Sequence, residues 1–177
     1  MDQPKVSVVY HGQGILQALA REVAAGAEEV GAVVRVRRLP GHAAPGAGAA
    51  EGLVESEDVH WPDAVVLGSP SRYGNLAPPL RAYLQQLRTL EGERLAEVVW
   101  SGFASADGLL HGGHEATLRT LFHMLSQLGG VVVPVSGLQG AGVRTAARCT
   151  GRDVADVARR LRAGAATELV PSGRTAG

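Results

Sequence analysis

The sequence predicts an α/β protein with a doubly wound, five-stranded parallel sheet and helices on both faces. Three observations carry that expectation. Short β-branched runs alternate five times along the chain with segments of helical apolar spacing. Several of those runs are almost continuously apolar, as strands covered on both faces must be. Right-handed crossovers between parallel strands then place the intervening helices above and below the sheet.

Lys5 to Tyr10 (KVSVVY) reads as the first strand, and His11-Gly12-Gln13-Gly14 breaks it. Leu16, Leu19, Ala20, Val23, Ala27 and Val30 follow at helical spacing, so Ile15 to Val30 is an amphipathic helix. Gly31 stands where helix-stopping glycines belong. Val33 to Arg38 (VVRVRR) alternates Val and Arg, as a strand with one exposed face would. Residues 41–61 show no period and read as a long loop with one short helix; loops of that length are usually functional or disordered. Ala64 to Gly68 (AVVLG) is a third buried strand, followed by the loop Ser69 to Asn75. Pro78 and Pro79 suit the first turn of a helix that Leu80, Tyr83, Leu84 and Leu87 continue. Glu97 to Phe103 (EVVWSGF) is a fourth strand, and Ala104 to Gly113 a Gly-rich loop. Leu118, Leu121, Phe122, Leu125 and Leu128 mark the next helix, stopped by Gly129-Gly130. Val131 to Val135 (VVVPV) is a fifth strand, and Pro134 argues for an edge position. Val154, Val157, Ala158 and Leu161 give the last helix. Residues 1–170 are expected to form a single domain, with 171–177 as a disordered tail.

Composition narrows the function. The 177 residues carry 17 Lys+Arg against 17 Asp+Glu, a formal net charge of zero. Such a chain has no electrostatic footprint for nucleic acid or an anionic membrane, and no apolar run approaches the ~18 residues of a span. One cysteine, Cys149, excludes an internal disulfide framework and a thiolate zinc cluster. The N-terminus has no cationic start followed by an apolar stretch, so the expected location is the cytoplasm.

In doubly wound sheets, ligands bind beyond the carboxyl ends of the strands, at the point where strand order reverses. The first loop, His11 to Gly14, leads into a helix N-terminus, whose free N–H groups and dipole favour anions. Gly12-Gln13-Gly14 is only part of a dinucleotide fingerprint, since the third glycine position is Gln17. From this loop alone, a phosphate site and a tight turn that binds nothing are equally open. The second loop, Ser69-Pro70-Ser71-Arg72-Tyr73-Gly74-Asn75, offers hydroxyls and an amide for a heterocycle edge, a flat aromatic face, and a cation for an anionic ring or substrate. Its composition alone would equally describe a surface turn. The third loop holds Ser105, Asp107, His111 and His114. His111 is the candidate functional histidine. A metal site is not expected, because His114 and His123 fall on roughly opposite sides of a helix and no set of carboxylate or Cys ligands accompanies them. No G-x-S-x-G nucleophile turn occurs around Ser69 or Ser101.

Three segments in this order resemble the flavodoxin-like superfamily, and within it the NAD(P)H:quinone oxidoreductases of the tryptophan-repressor-binding-protein type and the related NADPH-dependent FMN reductases. Val6 to Ala27 is similar to that family's first strand and phosphate-loop helix. Asp63 to Leu84 is similar to its strand and [ST]-P-[TS]-R-[FY]-G-N flavin loop, the most specific of the three. His111-Gly112-Gly113-His114-Glu115-Ala116-Thr117 resembles its Gly-Gly-Gln-Glu-x-Thr helix start. The resemblance covers roughly residues 5–165. It implies strand order 2-1-3-4-5, FMN as cofactor, NAD(P)H as donor, two-electron transfer to a quinone or similar aromatic acceptor, and a homodimer or homotetramer. It also implies an FMN phosphate held by His11, Gly12, Gln13, Gly14, Ile15 and Leu16. The isoalloxazine would lie along Pro70, Ser71, Arg72, Tyr73, Gly74 and Asn75, with a third wall from Phe103, Ala104, Ser105, Gly112 and Gly113. Arg72, Tyr73 and His111 would act at the reacting centre. The sequence departs from the family where His11, Gln13 and Ala18 replace hydroxyl-bearing residues of the phosphate loop, where Leu128 and Leu90 replace a histidine and an aromatic, and in a longer third loop. Those departures leave a second reading: a flavin-independent tailoring enzyme or binding module that reuses the cleft for another aromatic ligand. A dinucleotide-binding Rossmann domain, with Arg37-Arg38 near a 2′-phosphate, leaves the second loop unexplained.

Overall fold

The structure, a computed structural model, describes residues 3–41, 52–55, 57–90, 94–105, 113–135 and 142–168. Most of the 41–61 loop, the middle of the third loop with His111 and Gly112, and the expected tail lie outside the described residues.

Five parallel strands, β1 (Lys5–Tyr10), β2 (Val33–Arg38), β3 (Ala64–Pro70), β4 (Val99–Ser105) and β5 (Val131–Val132), form one sheet in the order β2-β1-β3-β4-β5. The predicted class and strand order are both present. Around the sheet run α1 (Ile15–Glu29), the short α2 (Glu57–His60), α3 (Pro78–Leu90), α4 (His114–Ser126) and α5 (Val143–Glu168). Among the described residues, no helix is long and apolar enough to cross a membrane.

Period-two alternation sorts the strand side chains into two cores. Val6, Val8 and Tyr10 of β1, with Val66 and Phe103, pack with Leu19 and Val23 of α1 and with Val154 and Ala158 of α5. Val9, Val65, Leu67 and Trp100 point the other way, onto Leu80 and Leu84 of α3 and Leu121 and Leu125 of α4. On the first face, α1 and α5 approach through glycine. A Cβ on Gly26 would lie 1.9 Å from the Arg148 carbonyl, and one on Gly151 would lie 1.9 Å from that of Val23.

Several boundaries differ from expectation: β3 and β4 each run two residues further than expected, to Pro70 and Ser105, so both expected loops begin inside the ladder. The fourth strand begins at Val99, because Arg94–Glu97 form a 3-10 turn that Trp100 ties down through its indole N–H to the Leu95 carbonyl (3.1 Å). The last helix begins at Val143, well before its apolar period. The described part of β5 is a two-residue edge strand. The Arg face of β2 is not simply solvated: Arg37 Nε donates to Asp58 (2.8 Å), and Asp58, on α2, is 2% exposed. Asp58 also accepts the Glu55 N–H (3.0 Å), so the short helix predicted in this loop is anchored to the sheet by charge.

Candidate functional site

Strand order reverses between β1 and β3, and the loops after these strands meet there. The His11 N–H donates to the Gly68 carbonyl (3.0 Å), joining the first loop to the end of β3.

The first loop folds as its glycines require. Gly12 has φ 129°, and a Cβ there would strike Leu16 Cδ1 at 2.7 Å. Leu16 is buried in the core, so only its backbone faces the loop. Gly14, at φ 60°, opens α1 with open space where a Cβ would stand. No side chain caps this helix and its first turn has no acid. The first intrahelical bond runs from the Ala18 N–H to the Gly14 carbonyl (3.0 Å), so the preceding N–H groups point outward. Gln13, Gly14 and Ile15 are exposed. His11 does not stand over this helix end. A Cβ on Gly41 would fall 2.6 Å from its Cε1, so the imidazole packs on the segment after β2. Its Nδ1 is buried without a hydrogen-bond partner. Burial holds its pKa below that of free imidazole; the Arg72 charge adds to this, the Leu39 backbone opposes it, and Arg38 lowers it further. Arg72 therefore sits near enough for its charge to be felt in the first loop.

The second loop is a two-residue turn. The Arg72 N–H donates to the Asn75 carbonyl (3.3 Å) and the Asn75 N–H to that of Arg72 (3.0 Å). Tyr73 (φ 53°) and Gly74 (φ 74°) are both left-handed, which is a type I′ turn. Tyr73 is the one described non-glycine residue with positive φ, and at 101% relative exposure its ring has no support within the chain. Asn75 Nδ2 donates to the Tyr73 carbonyl (3.0 Å), so half of its amide holds the turn itself. Behind the turn, the Ser71 N–H reaches the Ser105 carbonyl (2.6 Å), and the Thr117 hydroxyl donates to Ser71 Oγ (2.8 Å). Ser69 Oγ accepts the Ala77 N–H (3.0 Å) and fixes the path into α3. Pro70 closes β3 opposite Ser105.

The third wall is mostly backbone. The Phe103 ring lies beneath Gly68, where a Cβ would meet its Cζ at 2.3 Å, so its side chain belongs to the core. Ala104 and Ser105 stand opposite Ser69 and Pro70 in the ladder. Gly113 is left-handed at the start of α4 (φ 66°), and a Cβ on it would lie 2.9 Å from the Gly74 nitrogen. The second and third loops thus touch through paired glycines.

The first loop meets the end of β3 through the His11 N–H, and the Ser69 to Asn75 loop meets Ser105 and Gly113, while the Leu16 and Phe103 side chains lie in the core and the His11 ring turns to Gly41. The Ser71–Thr117 hydrogen bond and the Gly41 contact were not foreseen: each joins residues remote in sequence, and neither has a local motif. Among the described residues, no three His, Cys, Asp or Glu side chains converge on a metal position. The donor set suits a flavin mononucleotide. An uncapped helix end with an open glycine cradle fits its phosphate, and a loop edge of backbone groups, an amide and a guanidinium fits its ring.

No family model matches the chain. Over 135 residues it is 37% identical to an NAD(P)H dehydrogenase (quinone) of Paracoccus denitrificans, covering 70% of this chain and 64% of that protein. Over 164 residues it is 30% identical to the protein of the same name in Archaeoglobus fulgidus, covering 83% and 86%. The chain spans just under two thirds of the length of the Paracoccus relative and of a similar Rhizobium meliloti protein (64% and 65%). Among solved structures, a WrbA-like flavodoxin from Agrobacterium tumefaciens superposes with TM-score 0.66 over 89% of this chain and 99% of that one, at 24% identity.

Proposed function

The chain belongs to the flavodoxin-like NAD(P)H:quinone oxidoreductase family, and on that premise we propose that it binds FMN and uses NAD(P)H to reduce a quinone or similar aromatic acceptor by two electrons. The observation that carries this reading is the meeting, at one crevice, of an uncapped helix N-terminus and a pinned type I′ turn carrying Arg72, Tyr73 and Asn75. FMN, when bound, supplies the ring that accepts a hydride and passes the electrons on. In this reading, backbone N–H groups from Gly12 to Leu16 hold the phosphate, helped by the dipole of α1. His11, Gln13 and Ala18 add no hydroxyl donors there, so the backbone carries the task. Pro70 to Asn75 would border the ring. Arg72 brings a fixed positive charge to the crevice, which favours electron-rich and anionic groups beside it. Tyr73 offers an unsupported aromatic face for stacking with an acceptor. The backbone of Phe103 to Ser105 and Gly113 would close the third side.

The direct test is a visible absorbance scan of the purified protein, an FMN titration, and NADH or NADPH oxidation with a benzoquinone acceptor. Flavin binding and acceptor-dependent NAD(P)H oxidation are expected. Arg72→Ala and Asn75→Ala should each weaken FMN by about 1–3 kcal/mol, the range for hydrogen bonds that are charged or leave a buried partner unpaired. The Asn75 change acts partly by loosening the turn. Failure of FMN to bind at millimolar concentration would overturn the proposal.

A further inference from the structure

Thr89, Thr120 and Thr150 each lie on a helix and donate the hydroxyl proton to the carbonyl four residues back, at Gln85, Ala116 and Ala146. That is the ordinary habit of a helical threonine. Thr117, in the first turn of α4, departs from it: its hydroxyl crosses to Ser71 Oγ in the second loop, at 2.8 Å. Thr117 is fully buried (0% exposed), so its proton needs an acceptor inside the protein. Among the described residues that acceptor is Ser71 Oγ. Were Ser71 to donate instead, the Thr117 proton would be left buried with nothing to receive it. The bond therefore runs from Thr117 to Ser71.

A serine hydroxyl has one proton and two lone pairs. With one lone pair filled by Thr117, the Ser71 proton is directed away from the Thr117 oxygen, and no described residue accepts it. The rest of Ser71 is fixed. Its N–H donates to the Ser105 carbonyl (2.6 Å), and a Cβ on Gly113 would come within 3.3 Å of its Oγ. The other serine of this loop has nothing left to give: Ser69 Oγ donates to the Pro70 carbonyl (3.0 Å) and accepts the Ala77 N–H (3.0 Å). Of the two, Ser71 alone keeps a proton for a ligand.

We propose that Thr117 is a positioning residue: by filling Ser71 Oγ from behind, it turns the Ser71 proton toward the crevice, so that Ser71 meets the bound ring as a hydrogen-bond donor. This inference rests on the flavin reading above. The polar edge of a flavin offers carbonyl oxygens and ring nitrogens as acceptors. A donor already aimed at that edge needs no reorientation when charge builds there as electrons arrive. Thr117 itself touches no ligand in this arrangement and acts through Ser71.

The test uses FMN isotope-labelled at its carbonyl carbons and ring nitrogens, bound to the full chain and followed by NMR. Each ring acceptor then reports separately, and saturation removes affinity from the comparison. In Ser71→Ala one acceptor resonance should move as its hydrogen bond is lost. The same resonance should move in Thr117→Val and keep its wild-type position in Thr117→Ser, which retains the hydroxyl. A loop that is merely loosened lowers affinity without singling out one ring atom. FMN dissociation constants should rise about fivefold in Ser71→Ala and in Thr117→Val, the size of one neutral hydrogen bond. In the double variant the rise should again be about fivefold, not about twenty-five-fold, because both changes remove one interaction. Thr117→Ala makes the same comparison if the valine variant does not fold. Ring resonances unmoved in Ser71→Ala, a resonance that Thr117→Val leaves in place, or multiplicative losses in the double variant would each overturn the inference and leave the flavin reading standing. FMN that fails to bind the wild-type chain would remove both.

Discussion

His11 carries a buried ring nitrogen with no partner, beside two arginines, and this couples its protonation to folding. Its pKa in the folded chain lies below the ordinary 6.5, through burial first and the Arg72 charge second. Well above pH 6.5 the imidazole is neutral in both folded and unfolded chains, and stability does not depend on it. As pH falls below that value, the unfolded chain binds the proton first and the fold loses stability until the folded value is passed. Urea midpoints measured across about pH 5 to 7.5 should therefore fall on the acid side, and His11→Gln should flatten that fall. An unchanged slope in the variant would mean that another group titrates. A phosphate held at the same loop would raise the imidazole pKa and reduce the slope, so the effect also reports on the cofactor. Tyr73 shows the same pattern of local cost: an L-residue in the left-handed region is strained by about 1–2 kcal/mol, and its unsupported ring gains nothing from burial in return. Strain of that kind gathers at ligand-binding positions.

At the scale of elements, the crevice is held by one buried side-chain bond across 46 residues of sequence, from Thr117 on α4 to Ser71 in the second loop. Thr117→Val keeps the shape and leaves Ser71 Oγ unpaired inside, at a cost of about 1–3 kcal/mol. Thr120→Val, on the exposed side of the same helix, removes only a bond to the Ala116 carbonyl and should change little. Denaturant midpoints of the two variants test this directly; equal losses would mean that helix propensity, not the loop contact, is being measured. What the sequence disclosed about elements follows the same physics. β1 and β3 were legible because their burial is written in Val, Leu and Ala, and α1 because its buried face is broad. The start of α5 was not, because the residues it buries there are Ala146, Ala147, Thr150 and Gly151, whose contact with α1 depends on closeness and adds little apolar signal. The Asp58 anchor was hidden for the opposite reason. A carboxylate in a polar stretch reads as loop surface, and only the fold brings Arg35 and Arg37 to it.

For the whole molecule, topology accounts for the legible part of the candidate site: alternation fixes a parallel sheet, and the sheet fixes which loops meet. The sequence could not disclose where His11 turns, because the segment that receives its ring lies thirty residues away at Gly41. That rotation leaves the helix end to backbone donors alone, and phosphate binding is the step on which the proposed cofactor depends. Ligand-linked stability separates the two halves of the site. FMN at one hundred times its Kd stabilises the folded chain by about 2.7 kcal/mol. For a chain of this size, that is a rise of about 5–10 °C in thermal midpoint. Riboflavin presents the same ring without the phosphate, so at equal concentration it should give a clearly smaller rise. Equal shifts would mean that the uncapped end of α1 contributes nothing and the Ser69 to Asn75 wall binds the ring unaided. A shift with neither would remove the flavin from this crevice altogether.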